Sequence, residues 1–213
     1  TLAKTLASVL GYTYIDSGAM YRAVALYALR CGYVNDSVVK VDQFVTKLPE
    51  INISFVLAKD LNSQICLNGE KVESEIRDME VSNCVSQVSA IPQVRELLVA
   101  QQQLMGKKKA VVMDGRDIGS VVFPKAEFKL FMTASEDIRA QRRYNELIAK
   151  GSKVSIEEVK ANLSKRDYLD SHRDTAPLIK TNDAIVLDNS HLSQKEQLHW
   201  VLEKVKQISS NLG

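Results

Sequence analysis

Apolar residues at 2, 3, 6, 7, 9 and 10 give the first ten positions the spacing of a helix, with Gly11 as its stop. Tyr12-Thr13-Tyr14-Ile15 reads as a short strand running into Asp16-Ser17-Gly18, and Met20 to Cys31 as a helix with Gly32 beyond its end. The pattern predicts a further helix over 36–48. From Ile51 the period changes to two: Ile51-Asn52-Ile53-Ser54-Phe55-Val56-Leu57 alternates, Gln64-Ile65-Cys66-Leu67 alternates more loosely, and Asn68-Gly69 is a strong turn signal. A small antiparallel unit over about 50–75 follows from this. Helices are then predicted over 80–90 and 92–105, with Pro92 suited to a first turn. Strands at 110–114 and 127–132 precede a helix over 135–150. Ser155 with Glu158 forms a capping-box pattern for a helix over 156–171. A strand at 184–187 and an amphipathic helix over 193–208 end the pattern.

Strands alternating with helices predict an α/β fold with a mostly parallel sheet. The 213 residues suit one domain carrying a small insert. Hydrophobic content of 45% and charged content of 25% are those of an ordinary globular chain. With 28 basic and 26 acidic residues the net charge is +2, which points to neither a nucleic-acid nor a membrane partner. No apolar run is long enough to span a bilayer. Cys31, Cys66 and Cys84 show no CxxC spacing, against a disulfide framework or a zinc site and in favour of a reducing, cytoplasmic setting. Without an exposed heptad or apolar stripe, a monomer is expected.

Chemistry should collect at the carboxyl ends of the strands. Asp16-Ser17-Gly18 and Asp114-Gly115-Arg116-Asp117 both lie at such ends. Either alone could cap the next helix, but Arg116 and Asp117 cannot both be caps. Arg139, Arg142 and Arg143 share one helix face at i, i+3 and i+4, and Arg166, Asp170 and Arg173 share another at i, i+4 and i+7. Such faces are either solvated charge or a polyphosphate clamp, for which the planar guanidinium is suited. His172-Arg173-Asp174 spells a protein-kinase catalytic triplet, but the required Asn five residues on is Ile179, so the match is fortuitous. His172, His191 and His199 are scattered and read as surface residues.

Several separated motifs occur together in one order: Asp16-Ser17-Gly18-Ala19-Met20-Tyr21-Arg22, Glu75-Ile76-Arg77, Val85-Ser86-Gln87-Val88, Pro92-Gln93-Val94-Arg95, Asp114-Gly115-Arg116-Asp117-Ile118-Gly119 with Val121-Val122-Phe123-Pro124, and Arg166-Asp167 leading to Ala176-Pro177-Leu178. Over nearly its whole length the chain resembles the bacterial cytidylate kinases, nucleoside monophosphate kinases of the P-loop class. The resemblance implies a three-layer P-loop kinase fold with a mostly parallel central sheet, the antiparallel insert in the nucleotide-binding region, and a helical lid. It divides the single domain into a core (1–35, 105–135 and 180–213), a nucleotide-binding region about 36–104 and a lid about 139–175. Thr1-Leu2-Ala3-Lys4 resembles the helix that follows the family's phosphate loop, so a first strand and that loop are expected upstream of Thr1.

The resemblance also implies roles. Ser17, Tyr21 and Arg22 line the CMP site, with Arg22 on the acceptor phosphate. Ser86, Arg95 and Asp117 recognise cytosine, Asp170 reads the sugar hydroxyls, and Arg173 contacts the acceptor phosphate. Arg143 and Arg166, with Arg173, stabilise the transferring phosphoryl group. Arg142 belongs to the ATP lid, and Asp114 orders water on Mg2+. Leu169 stands where a basic lid residue is expected. The implied reaction is transfer of the γ-phosphoryl of ATP, as its Mg2+ complex, to CMP or dCMP. Two other readings remain open: a nucleotide-binding protein without catalysis, and a kinase for another monophosphate such as UMP, AMP or dTMP.

Overall fold

The computed structural model describes residues 1–36, 38–57 and 63–211. Its first half runs α1 (Leu2–Leu10), β1 (Thr13–Asp16), α2 (Ser17–Arg30), β2 (Val34–Asn35), β3 (Val38–Val39), α3 (Val41–Val45), β4 (Ile53–Leu57), β5 (Ser63–Leu67), β6 (Glu70–Lys71), α4 (Met79–Ala90) and α5 (Pro92–Gly106). The second half runs β7 (Val111–Asp114), β8 (Leu130–Thr133), α6 (Glu136–Ala149), α7 (Ile156–His172), β9 (Ile185–Asp188) and α8 (Gln194–Asn211).

The helix ends follow their capping chemistry. Gly11 closes α1 at φ 68°, a left-handed conformation that a side chain would strain, and its N–H donates to Ala7 and Ser8 carbonyls. Ser155 and Glu158 form the reciprocal capping box at α7. The helix expected over 36–48 is instead a two-residue hairpin, the short α3 and a 3-10 turn over Leu48–Glu50. Asp36 sits at φ 47°, and Pro49 lacks an N–H to continue a helix, so this stretch breaks on both sides of α3. Conversely, α2 begins three residues earlier than its apolar pattern, because the Asp16 carboxylate accepts from Ala19 N–H at 2.8 Å.

The insert is a three-stranded antiparallel sheet, β4-β5-β6, with Ile53 opposite Leu67 and Phe55 opposite Ile65. Its inner residues join α2, α4 and α5 in the main core around Met20, Val24, Phe44, Ile65, Ile76, Val88 and Leu98. The parallel strands form two pairs in place of one continuous sheet: β1 with β7 and β8 with β9. Among the described residues no strand pairs with the other edge of β7 or of β8. The core beneath them is correspondingly small, with Leu6, Leu187 and Val201 buried.

Candidate active site

β1 and β7 run parallel with Asp16 opposite Asp114, so two carboxylates end side by side at the strand tips. Beyond them opens a cavity of about 320 Å³ between α2, α4, α5 and α7. Arg22, Arg95, Arg116, Arg166 and Arg173 line it, against Asp16, Asp114, Asp117 and Asp170. The helix face predicted from Arg166, Asp170 and Arg173 is therefore real and points inward.

The stretch 114–119 divides its charges. The Asp117 carbonyl accepts from Val121 N–H at 2.8 Å and Val122 N–H at 3.3 Å, which widens the next turn into a π-turn over Ile118–Val122. Asp117 is buried and paired with the Arg95 guanidinium, which also donates to the Ser89 carbonyl at 3.1 Å and lies over the Tyr21 ring at 5.2 Å. Its neighbour Arg116 turns to α7, donating from Nε to Asp170 at 3.0 Å. Gly115 permits the close approach behind them: a Cβ there would lie 2.1 Å from Ser17 Oγ, the hydroxyl that donates to the Asp114 carbonyl at 2.6 Å.

One face of α4 supplies a polar stripe. Ser82 accepts from Arg22 at 3.0 Å, Ser86 donates to Asp170 at 3.2 Å, and Ser89 accepts from Arg173 at 3.4 Å. All three serines are buried. The sequence reading found Ser86 alone; the i, i+4, i+7 spacing of three serines on a core helix was the available signal. It gave no role to Arg77, quoted only within a motif, which pairs with Asp16 at 2.8 Å, or to Tyr14, whose hydroxyl donates to Asp114 at 3.1 Å.

Charge is poorly compensated here. Burial, then the nearby Arg166, Arg143 and Arg77, lower Arg22 to about 9. Burial and Arg116 lower Arg166 to about 10. Burial likewise lowers Arg173. Asp114 moves the other way, up to about 6, through burial and then the facing Asp16. Four buried polar atoms of lining or lid residues lack a hydrogen-bond partner: Tyr21 Oη, Arg95 Nε, Arg166 Nε and Arg173 Nη2. A clustered set of unsatisfied donors around one cavity fits an anionic, hydrogen-bonding ligand.

The second predicted arginine face does not converge. Arg139 pairs with Asp167, Arg142 holds the Asn189 side chain and carbonyl at 2.9 and 2.8 Å, and Arg143 donates to the Arg77 carbonyl at 2.9 Å. None of the three lines the cavity. A 3.6-residue repeat places them on one side of α6, but that side meets three different elements. Leu169, the departure noted in the lid, is half-buried on α7.

The description of the cytidylate kinase family matches residues 1–207. This chain belongs to that family. A cytidylate kinase of Flavobacterium psychrophilum is 53% identical over 209 residues, covering 98% of this chain and 92% of the relative. One of Parabacteroides distasonis is 53% identical over 205 residues, covering 96% and 90%. One of Porphyromonas gingivalis is 46% identical over 213 residues, covering 99% and 92%. The α/β architecture, the insert and the arginine-lined cavity are thus those of a cytidylate kinase family member. No described helix is long and apolar enough to cross a membrane.

Proposed function

We propose that this chain transfers the γ-phosphoryl group of ATP to CMP or dCMP, giving ADP and CDP or dCDP. The observation that carries the reading is the buried Arg95–Asp117 pair, with Ser86 of α4, in one cavity that four further arginines and three further carboxylates also line. Cytosine presents an N4 amino donor beside N3 and O2 acceptors. Asp117 accepts from N4, while Arg95 and Ser86 serve the acceptors. Asp170 takes the sugar hydroxyls. Ser17 and Tyr21 line the CMP site, Arg22 and Arg173 hold the acceptor phosphate, and Arg143 and Arg166 join Arg173 on the transferring group.

The acceptor phosphate is an oxyanion at neutral pH, so the residues need supply no strong base. They act by positioning and by neutralising charge in a loose transition state. The uncompensated guanidinium groups of Arg22 and Arg166 support this, since a dianion restores balance to them. The Asp16–Asp114 pair fits Mg2+, which characteristically takes one or two carboxylates together with waters and phosphate oxygens. Asp114 is the residue assigned to order metal-bound water. Mg2+ when bound would neutralise the donor phosphates. Arg142, fixed on Asn189 at the end of β9, is assigned to the donor nucleotide. A cytoplasmic monomer completes the reading.

The test is ADP formation from ATP and Mg2+ with CMP, dCMP, UMP, AMP and dTMP as acceptors. Turnover confined to CMP and dCMP is expected. A preference for another acceptor would overturn the assignment of Ser86, Arg95 and Asp117, and CMP binding without turnover would favour a binding protein.

A further inference from the structure

The turn Glu75–Arg77, between β6 and α4, is held by side-chain contacts to α2, to α6 and to the carboxylates of Asp16 and Glu73. From α2, Arg22 Nη1 donates to the Ile76 carbonyl at 2.9 Å. From α6, Arg143 Nη2 donates to the Arg77 carbonyl at 2.9 Å. Arg30 pairs with Glu75 at 2.6 Å. The Arg77 guanidinium spans Asp16 at 2.8 Å and Glu73 at 2.9 Å, both through Nη2. Glu73 accepts in turn from the Ile65 amide of β5 at 3.4 Å. A chain of polar contacts therefore runs from the insert sheet through Arg77 to the tip of β1.

Two of the arginines on this turn are those assigned to phosphate, one from the acceptor side and one from the lid. Each is held by a backbone carbonyl of the turn, with Ser82 as a second partner of Arg22 and Glu146 of Arg143, so the stance of both guanidinium groups depends in part on where the turn stands. The turn in turn is anchored by the Arg77 side chain, with Ile76 fully buried beneath it. Asp16 is both the partner of Arg77 and the N-cap of α2, the helix that carries Arg22. Removing the guanidinium would leave Asp16 without its cation and would free the turn to shift relative to α2. A displacement on the order of 1 Å in such a network costs about 100-fold in a positioned interaction.

We propose that Arg77 is a positioning residue for the acceptor-phosphate site: through its bridge to Asp16 and Glu73 it fixes the turn whose carbonyls set the stance of Arg22 and Arg143. Arg77 does not itself touch the nucleotide. The proposal rests on the reading of Arg22 as a phosphate ligand.

A comparison of CMP with cytidine, by calorimetric titration of the full chain, tests it. Wild type should bind CMP more tightly than cytidine. Arg77→Met should lower CMP affinity by about tenfold or more while cytidine affinity stays within about twofold, because the base pocket on Arg95 and Asp117 lies away from the turn. Arg77→Lys keeps one charge without the fork and should fall between. Equal loss for CMP and cytidine would mean general damage and would overturn the proposal, as would no loss for either. If Arg77→Met does not fold, Arg77→Lys and Glu73→Gln are judged by the same ratio, and an unchanged ratio in both overturns the proposal. A wild type that binds cytidine as well as CMP would instead remove the phosphate-site reading itself.

Discussion

Asp117→Asn is the most informative single change. The side chains of Arg95 and Asp117 are 4% and 3% exposed, so their charges are balanced almost wholly by each other. Removing one member of a buried pair typically costs 3–5 kcal/mol, the other charge being left without compensation. Here Arg95 keeps the Ser89 carbonyl and the Tyr21 ring, and asparagine still accepts one hydrogen bond, so about 2–3 kcal/mol of lost stability is expected. The effect on specificity has a definite sign. Carboxylate accepts from the cytosine N4 amino group; a uracil-type ring offers an O4 acceptor there instead. Asparagine presents an amide N–H to that position, so the change withdraws an acceptor from CMP and supplies a donor to UMP. Each contact is worth about 1–3 kcal/mol, so each of the two changes contributes roughly 5- to 150-fold to the ratio of CMP to UMP. The assays are urea denaturation and kcat/KM for both acceptors. A lowered stability with an unchanged CMP-to-UMP ratio would show that Asp117 holds Arg95 and does not read the base.

Gly115→Ala should distort the site, since the new Cβ would lie 2.1 Å from Ser17 Oγ and 2.9 Å from Ile118 Cδ1; a loss of about 1–3 kcal/mol in denaturation with weakened CMP binding is expected, and unaltered CMP affinity would contradict the packing described. Asp114 binds its proton more tightly when folded, its pKa being about 6 against 3.8 ordinarily, so its contribution to stability is most favourable below pH 4 and declines as pH rises to 6. Without metal, Asp114→Asn should therefore stabilise more at pH 8 than at pH 4.5; equal denaturation midpoint shifts at the two pH values would refute the shift. Arg173→Ala should lower kcat by about 100- to 1000-fold in ADP formation with a smaller change in KM for CMP, and a change confined to KM would assign it to ground-state binding alone.

Patterning and capping made most elements legible before the coordinates. Helices α4 to α8 fall close to the ranges their spacing predicts, with serine caps at Ser135, Ser155 and Ser193 fixing the starts of α6, α7 and α8. The stretch 36–48 was misjudged because backbone geometry at Asp36 and Pro49 overrides a weak helical pattern. Arg166, Asp170 and Arg173 were legible as one cavity-facing set, since α7 fixes the first two and Arg173 follows directly as its C-cap. Arg139, Arg142 and Arg143 satisfied the same rule and yet diverge, because helical spacing states which side a residue takes and not what lies opposite. Arg77 was visible only as part of a motif. Its role depends on contacts between β1, β5 and α6, which no local spacing encodes.

The π-turn at Ile118–Val122 has a consequence for how this segment can change over generations. Adjacent residues Arg116 and Asp117 face different helices, α7 and α5. Their assignment depends on register alone. Inserting one residue between Asp114 and Arg116 would send the arginine toward Arg95, and deleting one would send the Asp117 carboxylate toward Asp170, so either change sets like charges against each other at one of the two places. The lysine-rich turn at 107–109, a few residues upstream, is exposed and carries no such pairing. Variation in length is thus tolerable on one side of β7 and ruinous on the other, and the four residues after Val111-Val112-Met113 evolve, if at all, by substitution.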